Sequence, residues 1–435
     1  MRFRNFLSAS AAGVMVVMTA CSSEEPAQTT PTAIAGEKTF ASFSISMANV
    51  QSRAQADDNA DPVEQTIDAI TLYIFSGGVL EQSFTPTISD AKTEAVEVTT
   101  GEKVIFAVAN GATMSVTPES TTLAEFRSRL RSASVSTIAT EGNFDMTGSA
   151  TAIITKCTKA EAEAAPISLG VSRSAAKVQV KYDPEAVNVR ATLRATFADG
   201  HFTIAQSTKQ MRMVLDKNTP IELGTPVGGI YANYEQPAAN PVWKATLTEG
   251  FSAAFNRSLY TGESYNAEPV TGNTTYAMVR LKVTPTQVYN SEPLASDGTF
   301  YVLARHDEVH GSYVFASDND YNLLYFATEK DATAYKAEAN LNEAYEIMRY
   351  AEGLAYYRVN LQSETAEGTA LADKYCVLRN HFYRVNVTDV KALGAPTEAG
   401  TVPTNPDEPL EADAWLAAEI SVDPWLTVDY NTSLQ

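Results

Sequence analysis

The sequence predicts an all-β protein, with two β-sandwich domains in series, little helix and a long C-terminal strand. Two observations support this prediction. Short segments of alternating apolar and polar residues recur along the chain, and clusters rich in glycine, proline and asparagine separate them. A helical pattern interrupts the strands late in the chain, at roughly residues 328–350. Many short strands between turn signals are typical of β-sandwiches.

The N-terminal residues have the pattern of a secretory signal. Two arginines precede a short apolar run, residues 7–19, and Cys21 follows a small-residue cleavage site at Ala20. The run is too short to span a membrane. A cysteine at the cut point resembles a bacterial lipoprotein signal, so residues 1–20 are a predicted signal peptide and Cys21 a predicted lipid attachment site. An ordinary signal cut near Ala20 is the alternative.

Charge and cysteine content narrow the possible partners. The formal net charge is −20, and loss of the signal arginines makes the mature chain more negative. An acidic surface argues against nucleic acid and anionic lipid as partners. Cys157 and Cys376 lie far apart, so we expect two buried thiols rather than a disulfide framework.

The first strand follows a polar tether. Phe43, Ile45 and Met47 lie on one face of it, and serines lie on the other. It ends in a polar, acidic loop, residues 49–65, which has no periodicity and which we expect to be mobile. Arg53 is the basic residue of this loop.

The pattern of the rest of the first half predicts a compact β domain. Residues 69–75 and 103–109 are apolar nearly throughout, as buried central strands are. Thr122 to Glu125 has the pattern of a capping box that opens a helix. Residues 177–182 alternate as a half-buried strand, which Asp183 and Pro184 end. The predicted units are a tether and first strand (21–53), an N-terminal domain (54–184) and a C-terminal domain (185–413).

The second half repeats the alternation of strands and turns. The predicted strands are residues 189–197, 211–215, 277–283, 301–305 and 313–316. Tyr357-Arg358-Val359-Asn360 recurs as Tyr383-Arg384-Val385-Asn386, which we interpret as two strands of one sheet. A linker rich in proline and glycine, residues 392–413, leads to the C-terminal segment.

Residues 414–435 contain the longest alternating segment of the chain. Its even positions are apolar: Leu416, Ala418, Ile420, Val422, Pro424, Leu426, Val428 and Tyr430. This period predicts a strand whose apolar face enters a hydrophobic groove. Pro424 donates no hydrogen bond, so the strand lies on an edge or breaks there. The residues alone leave open whether the groove belongs to this chain or to another.

Three motifs resemble catalytic or metal sites but lack the required context. His306 and His310 fall in a predicted hairpin, where they do not share a helical face. Ser174 to Lys177 begins a strand, and no Lys-Thr-Gly accompanies it. Residues 318–322 have calcium-loop spacing, but Leu323 stands where glycine is required. We therefore predict no catalytic, cofactor or metal site, and no enzyme.

Residues 374–387 resemble the major fimbrial subunits of Bacteroidetes (fimbrillins, type V pilins). Arg379 to Asn386 is similar to the R-N-H-x-Y-x-V-N strand of their C-terminal domains. Residues 353–360, residues 173–178 and the Pro424-Trp425 element extend the resemblance along the chain. The resemblance implies two transthyretin-like β-sandwich domains and a donor-type C-terminal strand.

The resemblance also implies an assembly mechanism. The precursor would be held in the outer membrane by lipid (palmitate) on Cys21, and an arginine-specific surface protease would cut between Arg53 and Ala54. The strand with Phe43, Ile45 and Met47 would then leave, and the C-terminal strand of a neighbouring copy would fill the groove. The implied donor residues are Leu416, Ile420, Val422, Leu426, Val428 and Tyr430. Other subunits of the same cell-surface fimbrium are further implied partners.

Two alternatives remain. A tip or anchor subunit of the same fimbrium would keep its first strand or lack a donor tail, so Arg53 and residues 414–435 favour the shaft. A surface glycan-binding lipoprotein would display a cluster of exposed tryptophan and tyrosine. Trp243 is the one tryptophan outside the tail, which argues against the glycan-binding alternative.

Overall fold

The computed structural model describes residues 36–47, 60–213, 221–238, 240–307, 312–364, 366, 368–410 and 416–424. The strands of the first half are β1 (Lys38–Ala41), β2 (Phe43–Met47), β3 (Ile70–Ser76), β4 (Val79–Phe84), β5 (Ile88–Ser89), β6 (Lys92–Thr93), β7 (Val96–Thr99), β8 (Gly101–Ala109), β9 (Leu130–Ser132), β10 (Ala139–Thr140), β11 (Asn143–Phe144), β12 (Met146–Ile154), β13 (Ile167–Arg173) and β14 (Ala175–Lys181). Short helices lie between them: α1 (Leu123–Ser128), α2 (Val135–Ile138) and α3 (Lys159–Ala164).

The second half is also mostly strand. Its strands are β15 (Asn188–Val189), β16 (Ala195–Ala205), β17 (Gln210–Arg212), β18 (Lys244–Ala245), β19 (Leu259–Gly262), β20 (Tyr276–Pro285), β21 (Phe300–Asp307), β22 (Ser312–Phe315), β23 (Glu346–Tyr350), β24 (Leu354–Asn360), β25 (His381–Val390) and β26 (Leu416–Pro424). Its α-helices are α4 (Glu329–Glu338) and α5 (Leu371–Lys374). The predicted all-β fold class is confirmed.

The N-terminal domain is built on a sheet with the strand order β4-β3-β8-β12-β13-β2-β6-β5. Its central strands β3 and β8 are buried on both faces. One face packs in a core that includes Phe43 and Leu169, and the other is covered by α1. Phe126 of α1 lies 4.9 Å from Tyr73, measured between ring centroids. The Thr122 hydroxyl accepts a hydrogen bond from the Glu125 backbone N–H at 3.1 Å, so the predicted helix start is confirmed.

The C-terminal domain is a sandwich of two sheets. One sheet has the order β15-β25-β14-β19 with β26 on β25, and the other has the order β18-β16-β20-β24. Side chains from both sheets form one core, which includes Val178, Val385, Phe202, Val279 and Tyr357. A smaller sheet, β22-β21-β23, packs against α4 through Leu303 and Ala332.

Several predicted elements differ from the structure. The repeated Tyr-Arg-Val-Asn segments lie in β24 and β25, which belong to facing sheets rather than to one sheet. The helical pattern at 328–350 ends early, because Glu346–Tyr350 pairs with β21 as β23. The predicted strand 189–197 is interrupted by a turn at Ala191–Leu193, and Arg194 then adopts a left-handed conformation with φ of 46°.

Strand β14 was predicted to be half-buried, and it is buried on both faces. Lys177 and Gln179 have no exposed surface because both find polar partners inside the protein. β14 pairs with β19 and β25 of the C-terminal sheet, whereas β13 pairs with β2 of the N-terminal sheet. The chain therefore passes from one sheet to the other at Ser174, between β13 and β14, and the predicted domain boundary near residue 184 stays a prediction.

The two remaining cysteines are free thiols. Cys376 is buried, and Cys157 is only partly buried. No helix in the described part of the chain is long and apolar enough to cross a membrane.

Candidate functional site

The first strand is built into a seam of the N-terminal domain. β1 pairs antiparallel with β7, and β2 pairs parallel with β13, from Phe43 opposite Ile167 to Met47 opposite Val171. On the other side of β2, the Ile45 backbone N–H donates to the Ala91 carbonyl at 2.8 Å. Removing residues 38–47 would therefore leave backbone groups of β7 and β13 unpaired.

The apolar face of this strand fills part of the N-terminal core. Phe43 is fully buried and Ile45 is 4% exposed, while Met47 is partly buried against the same cluster. Leu169 and Val171 of β13 belong to the same core. The strand therefore occupies an apolar trough that would open to water if it left.

Polar contacts fix the start of the strand. The Thr39 hydroxyl accepts from the Cys157 backbone N–H at 2.8 Å, and the Cys157 thiol donates to the Phe40 carbonyl at 3.2 Å. The Lys156 ammonium contacts the Glu37 carboxylate at 2.7 Å and holds the pKa of that exposed carboxyl below its usual value. Exposed ion pairs contribute little, so the backbone pairing and the buried side chains hold the strand.

The predicted processing and lipidation residues fall outside the described residues, and so does half of the predicted donor row. These residues are Cys21, Arg53, Ala54, Leu426, Val428 and Tyr430. The chain is described up to Met47 and again from Ala60, which is buried in the N-terminal core. The Arg53–Ala54 bond thus lies in sequence between the seated strand and an ordered turn.

That turn is anchored by a buried carboxylate that sequence reasoning missed. Glu64 is fully buried; its carboxylate contacts the Lys177 ammonium at 2.9 Å and accepts a hydrogen bond from the Tyr260 hydroxyl. Its backbone carbonyl accepts from Arg173 Nε at 2.7 Å. Burial lowers the pKa of Lys177, and the Glu64 carboxylate opposes that shift. The sequence signal was Asp61 three residues before Glu64, which forms a capping box around the turn.

The described part of the C-terminal strand lies on its own chain. β26 pairs antiparallel with β25, from Leu416 opposite Val390 to Pro424 opposite His381. Leu416 is buried in the C-terminal core, and Ile420 and Val422 pack against it. The even positions Leu416, Ala418, Ile420 and Val422 therefore pack on the core of the same molecule. The predicted donor strand, residues 414–435, stays a prediction.

The Arg-Asn-His motif lies at the junction of the two domains. The Arg379 guanidinium pairs with the Glu263 carboxylate and donates to the Thr147 hydroxyl of β12 at 2.9 Å. Asn380 accepts from Arg173 at 3.2 Å and has a left-handed backbone, with φ of 57°. The His381 ring lies 2.8 Å from the Arg379 carbonyl, and burial lowers its pKa. The motif thus joins the sandwiches to each other.

The motifs with weak resemblance to metal or glycan sites have structural surroundings. His306 lies in the hairpin of β21 and β22, opposite Tyr313. Asp318 accepts hydrogen bonds from the Asp320 and Asn322 backbones, each at 2.9 Å. The Arg280 guanidinium of the same chain lies over the Trp243 ring, 4.4 Å from the ring centroid. Within the described ranges, no three His, Cys, Asp or Glu side chains are grouped so that they could hold a metal ion.

Two family models match separate parts of the chain. Residues 40–182 match "Major fimbrial subunit protein (FimA)", and residues 348–431 match "Major fimbrial subunit protein type IV, Fimbrillin, C-terminal". Together the two segments span more than half of the sequence. No curated protein is similar enough to count as a match.

One solved structure shows the same fold, and two others align over most of the chain with lower TM-scores. A fimbrilin (FimA) from Porphyromonas gingivalis shares 17% sequence identity with a TM-score of 0.50, and the match covers 90% of this chain and 98% of that one. A protein from Bacteroides eggerthii shares 14% identity with a TM-score of 0.46, covering 91% and 98% of the two chains. The tip fimbrial protein Mfa3 from Porphyromonas gingivalis shares 12% identity with a TM-score of 0.43, covering 89% and 100%.

Proposed function

Because the chain belongs to the family of major fimbrial subunits and is a structural subunit of a cell-surface fimbrium, we propose that it builds the shaft by donating a C-terminal strand to its neighbour. The observation that carries this proposal is the first strand, which is seated in the N-terminal core directly before the loop that contains Arg53. Residues 425–435 continue the alternation of the C-terminal segment in sequence.

Processing would separate the strand from the domain that it completes. The precursor reaches the outer membrane as a lipoprotein through Cys21, and an arginine-specific surface protease cuts between Arg53 and Ala54. The Glu64 anchor lies after the cut, so the N-terminal domain keeps its contacts with Lys177 and Tyr260 when residues 21–53 leave. Cleavage therefore empties the trough without unfolding its walls.

The emptied trough supplies the driving force for assembly. Each buried side chain of the size of Phe43 or Ile45 contributes about 1.5–3 kcal/mol when it is removed from water. The unpaired edges of β7 and β13 add a further cost. A strand with alternating apolar residues satisfies both needs at once, as in β-augmentation.

The donated segment is the part of the tail beyond β26. Leu416, Ile420 and Val422 already pack on their own C-terminal core, so they would anchor the tail rather than enter the neighbour. Leu426, Val428 and Tyr430 continue the same alternation and are the proposed donor residues. Each subunit then accepts a strand at its N-terminal domain and donates one from its C-terminal end. This head-to-tail contact does not close on itself and generates a filament.

The cleavage step can be tested on the purified precursor. Trypsin should cut first at Arg53, N-terminal sequencing should begin at Ala54, and electron microscopy should then show filaments. Arg53→Ala should remain monomeric. Arg53→Lys is the matched control, because trypsin should still process it whereas an arginine-specific protease should not. A first product that starts elsewhere, or filaments from Arg53→Ala, would refute the processing step.

The lipid step needs a separate test in cells. Cys21→Ser should abolish the incorporation of radiolabelled fatty acid. It should also abolish delivery to the outer membrane, which cell fractionation would measure. The folded domains should be unaffected, because Cys21 precedes the first strand. Normal surface delivery of this variant would exclude Cys21 from the export pathway.

A further inference from the structure

The short strand β7 forms one wall of the groove that the first strand fills. Among the described strands, only β1 pairs with β7. The proposed cleavage removes β1, so the four residues of β7 would have to keep their extended shape without a strand partner. Val98 holds the middle of β7 by its contact with the N-terminal core. An apolar contact alone does not fix the backbone of so short a strand, because its hydrogen bonds to a neighbouring strand are missing.

Side chains of β4 bond the backbone of β7 on the side away from β1. The Thr100 backbone N–H donates to the carbonyl just before β1, at 2.9 Å. Successive N–H groups of a strand point to opposite sides, so the Thr99 N–H points away from the first strand. It donates to Glu81 Oε1 at 2.6 Å. The Glu97 carbonyl accepts from Gln82 Nε2 at 2.7 Å. Two side chains of β4 thus take the place of a second neighbouring strand.

Lys103 connects this contact to the central strands of the domain. It lies on β8 and is fully buried, and its ammonium contacts Glu81 Oε2 at 2.7 Å. The ammonium also donates to the Thr99 hydroxyl at 2.6 Å and to the Ser76 hydroxyl of β3 at 2.8 Å. The Glu81 side chain is 8% exposed, so salt and solvent screen this ion pair little. We name Glu81, Gln82 and Lys103 the β7 clamp.

We propose that the β7 clamp keeps the groove ready to accept a strand after the first strand has left. This inference rests on the proposed function, since it names the residues that maintain the groove between the release of one strand and the binding of the next. All three clamp residues follow the Arg53–Ala54 bond in sequence, so they stay in the cut subunit. The edge of β7 that faced β1 then remains extended. An incoming strand binds such an edge more tightly, because less conformational entropy is lost on binding.

The groove can be tested with the strand that the structure places in it. The probe is a fluorescein-labelled peptide of residues 36–47, which is titrated with trypsin-cut precursor and competes with the released fragment for the groove. Trypsin is inhibited first, because the peptide contains Lys38. Fluorescence anisotropy gives the apparent Kd of the peptide. The uncut precursor should not bind the peptide, because its own first strand fills the groove.

Two variants weaken the clamp without leaving an unpaired buried charge. Gln82→Met keeps the length of the side chain but cannot donate to the Glu97 carbonyl. The double variant Glu81→Leu with Lys103→Met removes both charges together, since removing one would leave the other unpaired in the core. Ser83→Ala is the control, because Ser83 is an exposed residue of the same strand. Each clamp variant should bind the peptide roughly tenfold more weakly than wild type does, which corresponds to about 1.4 kcal/mol. Ser83→Ala should bind it like wild type.

The peptide affinity separates this role from general support of the fold. A contact that stabilises the filled and the empty groove equally leaves the affinity unchanged. Gln82→Lys should restore the affinity, because an ammonium can again donate to the Glu97 carbonyl. Clamp variants that bind the peptide as tightly as Ser83→Ala does would overturn the proposal. A Gln82→Lys variant that binds no better than Gln82→Met would also overturn it.

Two further outcomes distinguish this inference from the proposed function. Cut wild-type protein that binds no peptide would refute the release of the first strand, and with it the role of the clamp. Cut wild-type protein that binds the peptide but forms no filaments would refute strand donation alone. Weaker peptide binding by the clamp variants would still support the clamp in that case.

Discussion

At the scale of single residues, Phe43 is the side chain that most distinguishes the precursor from the cut subunit. It is fully buried in the core of the N-terminal domain, yet it belongs to the segment that the proposed cleavage removes. Its energetic contribution therefore concerns the precursor alone. Residues of the trough walls, such as Leu169, contribute both before and after cleavage.

Phe43→Ala should lower the free energy of unfolding of the precursor by about 3–5 kcal/mol, because it leaves a cavity in a packed core. Urea unfolding followed by circular dichroism would measure this. Phe40→Ala is the control, because Phe40 lies on the other face and is only partly buried. Filaments assembled from cut Phe43→Ala should be as stable as wild-type filaments. A stability difference between the two filaments would mean that residue 43 stays in the assembly.

His381 should make the stability of the chain depend on pH. Burial lowers its pKa below the ordinary value of 6.5, so the unfolded chain takes up a proton at a higher pH than the folded chain does. The free energy of unfolding should therefore fall as the pH falls below about 6.5. His381→Asn lacks this contribution, and carboxylates common to both proteins cancel in the comparison. Urea unfolding between pH 8 and pH 5 would give the free energy of unfolding of both proteins. The difference between them should shrink as the pH falls, and a constant difference would contradict a contribution from His381.

Some of these residues could be predicted and others could not, for a physical reason. The inward orientation of Phe43 and Ile45 follows from alternation within one strand, which is a local property. Glu64 and Lys177 form their buried ion pair across 113 positions of sequence. Nothing local to either residue indicates the other, so the sequence predicts a loop that extends to residue 65 and a half-buried strand at Lys177.

At the scale of elements, we propose different roles for β26 and for the alternating sequence that follows it. β26 forms part of its own sheet, with Ile420 opposite Val385, and the alternation continues beyond it in sequence. The alternation predicts which face of a strand is apolar, but it does not say which molecule covers that face. For this reason the sequence predicts the apolar row of β26 but not that Ile420 and Val422 pack on the core of their own chain.

Aspartate substitutions should separate the two parts of the tail. Ile420→Asp places an unpaired carboxylate against the chain's own core. The free energy of unfolding of the precursor should therefore fall by at least about 1–3 kcal/mol. Val428→Asp should leave that stability unchanged and abolish filament formation after cleavage. Thr427→Asp, on the polar face, should be mild in both respects. Urea unfolding of the uncut proteins and electron microscopy of the cut proteins measure the two effects.

The opposite distribution would contradict this division of the tail. If Val428→Asp destabilised the monomer as much as Ile420→Asp, the whole tail would belong to its own domain. If Val428→Asp and Thr427→Asp formed filaments equally well, the apolar face of the sequence beyond Pro424 would not be buried in a groove.

At the scale of the whole molecule, paired strands connect the first-strand groove to the C-terminal strand β26. β13 pairs with the strand in the groove, and the chain passes through Ser174 directly into β14. β14 pairs with β25, and β25 pairs with β26. Hydrogen-bonded backbone therefore runs from the proposed accepting groove to the strand that precedes the proposed donor segment. A filament built as proposed would carry tension along this path.

The middle of this path is held by buried polar groups that contact both domains. The Ser174 hydroxyl donates to the Asp145 carboxylate, which also pairs with Arg131. Arg379 donates to Thr147 of the N-terminal sheet while it pairs with Glu263, which follows β19 of the C-terminal sheet. These contacts should make the two sandwiches unfold together.

Arg379→Ala should therefore uncouple the two domains. The substitution removes the bond to Thr147 and leaves Glu263, only 5% exposed, without its counterion, which typically costs about 3–5 kcal/mol. Differential scanning calorimetry should show one transition for the wild-type precursor and two for the variant, because the contacts that span the junction are lost. Arg358→Ala is the matched control: its guanidinium donates to the Thr271 and Thr274 carbonyls inside the C-terminal domain. Arg358→Ala should lower the transition temperature without splitting the transition. A single transition for Arg379→Ala would show that the covalent connection through Ser174 is sufficient to couple the domains.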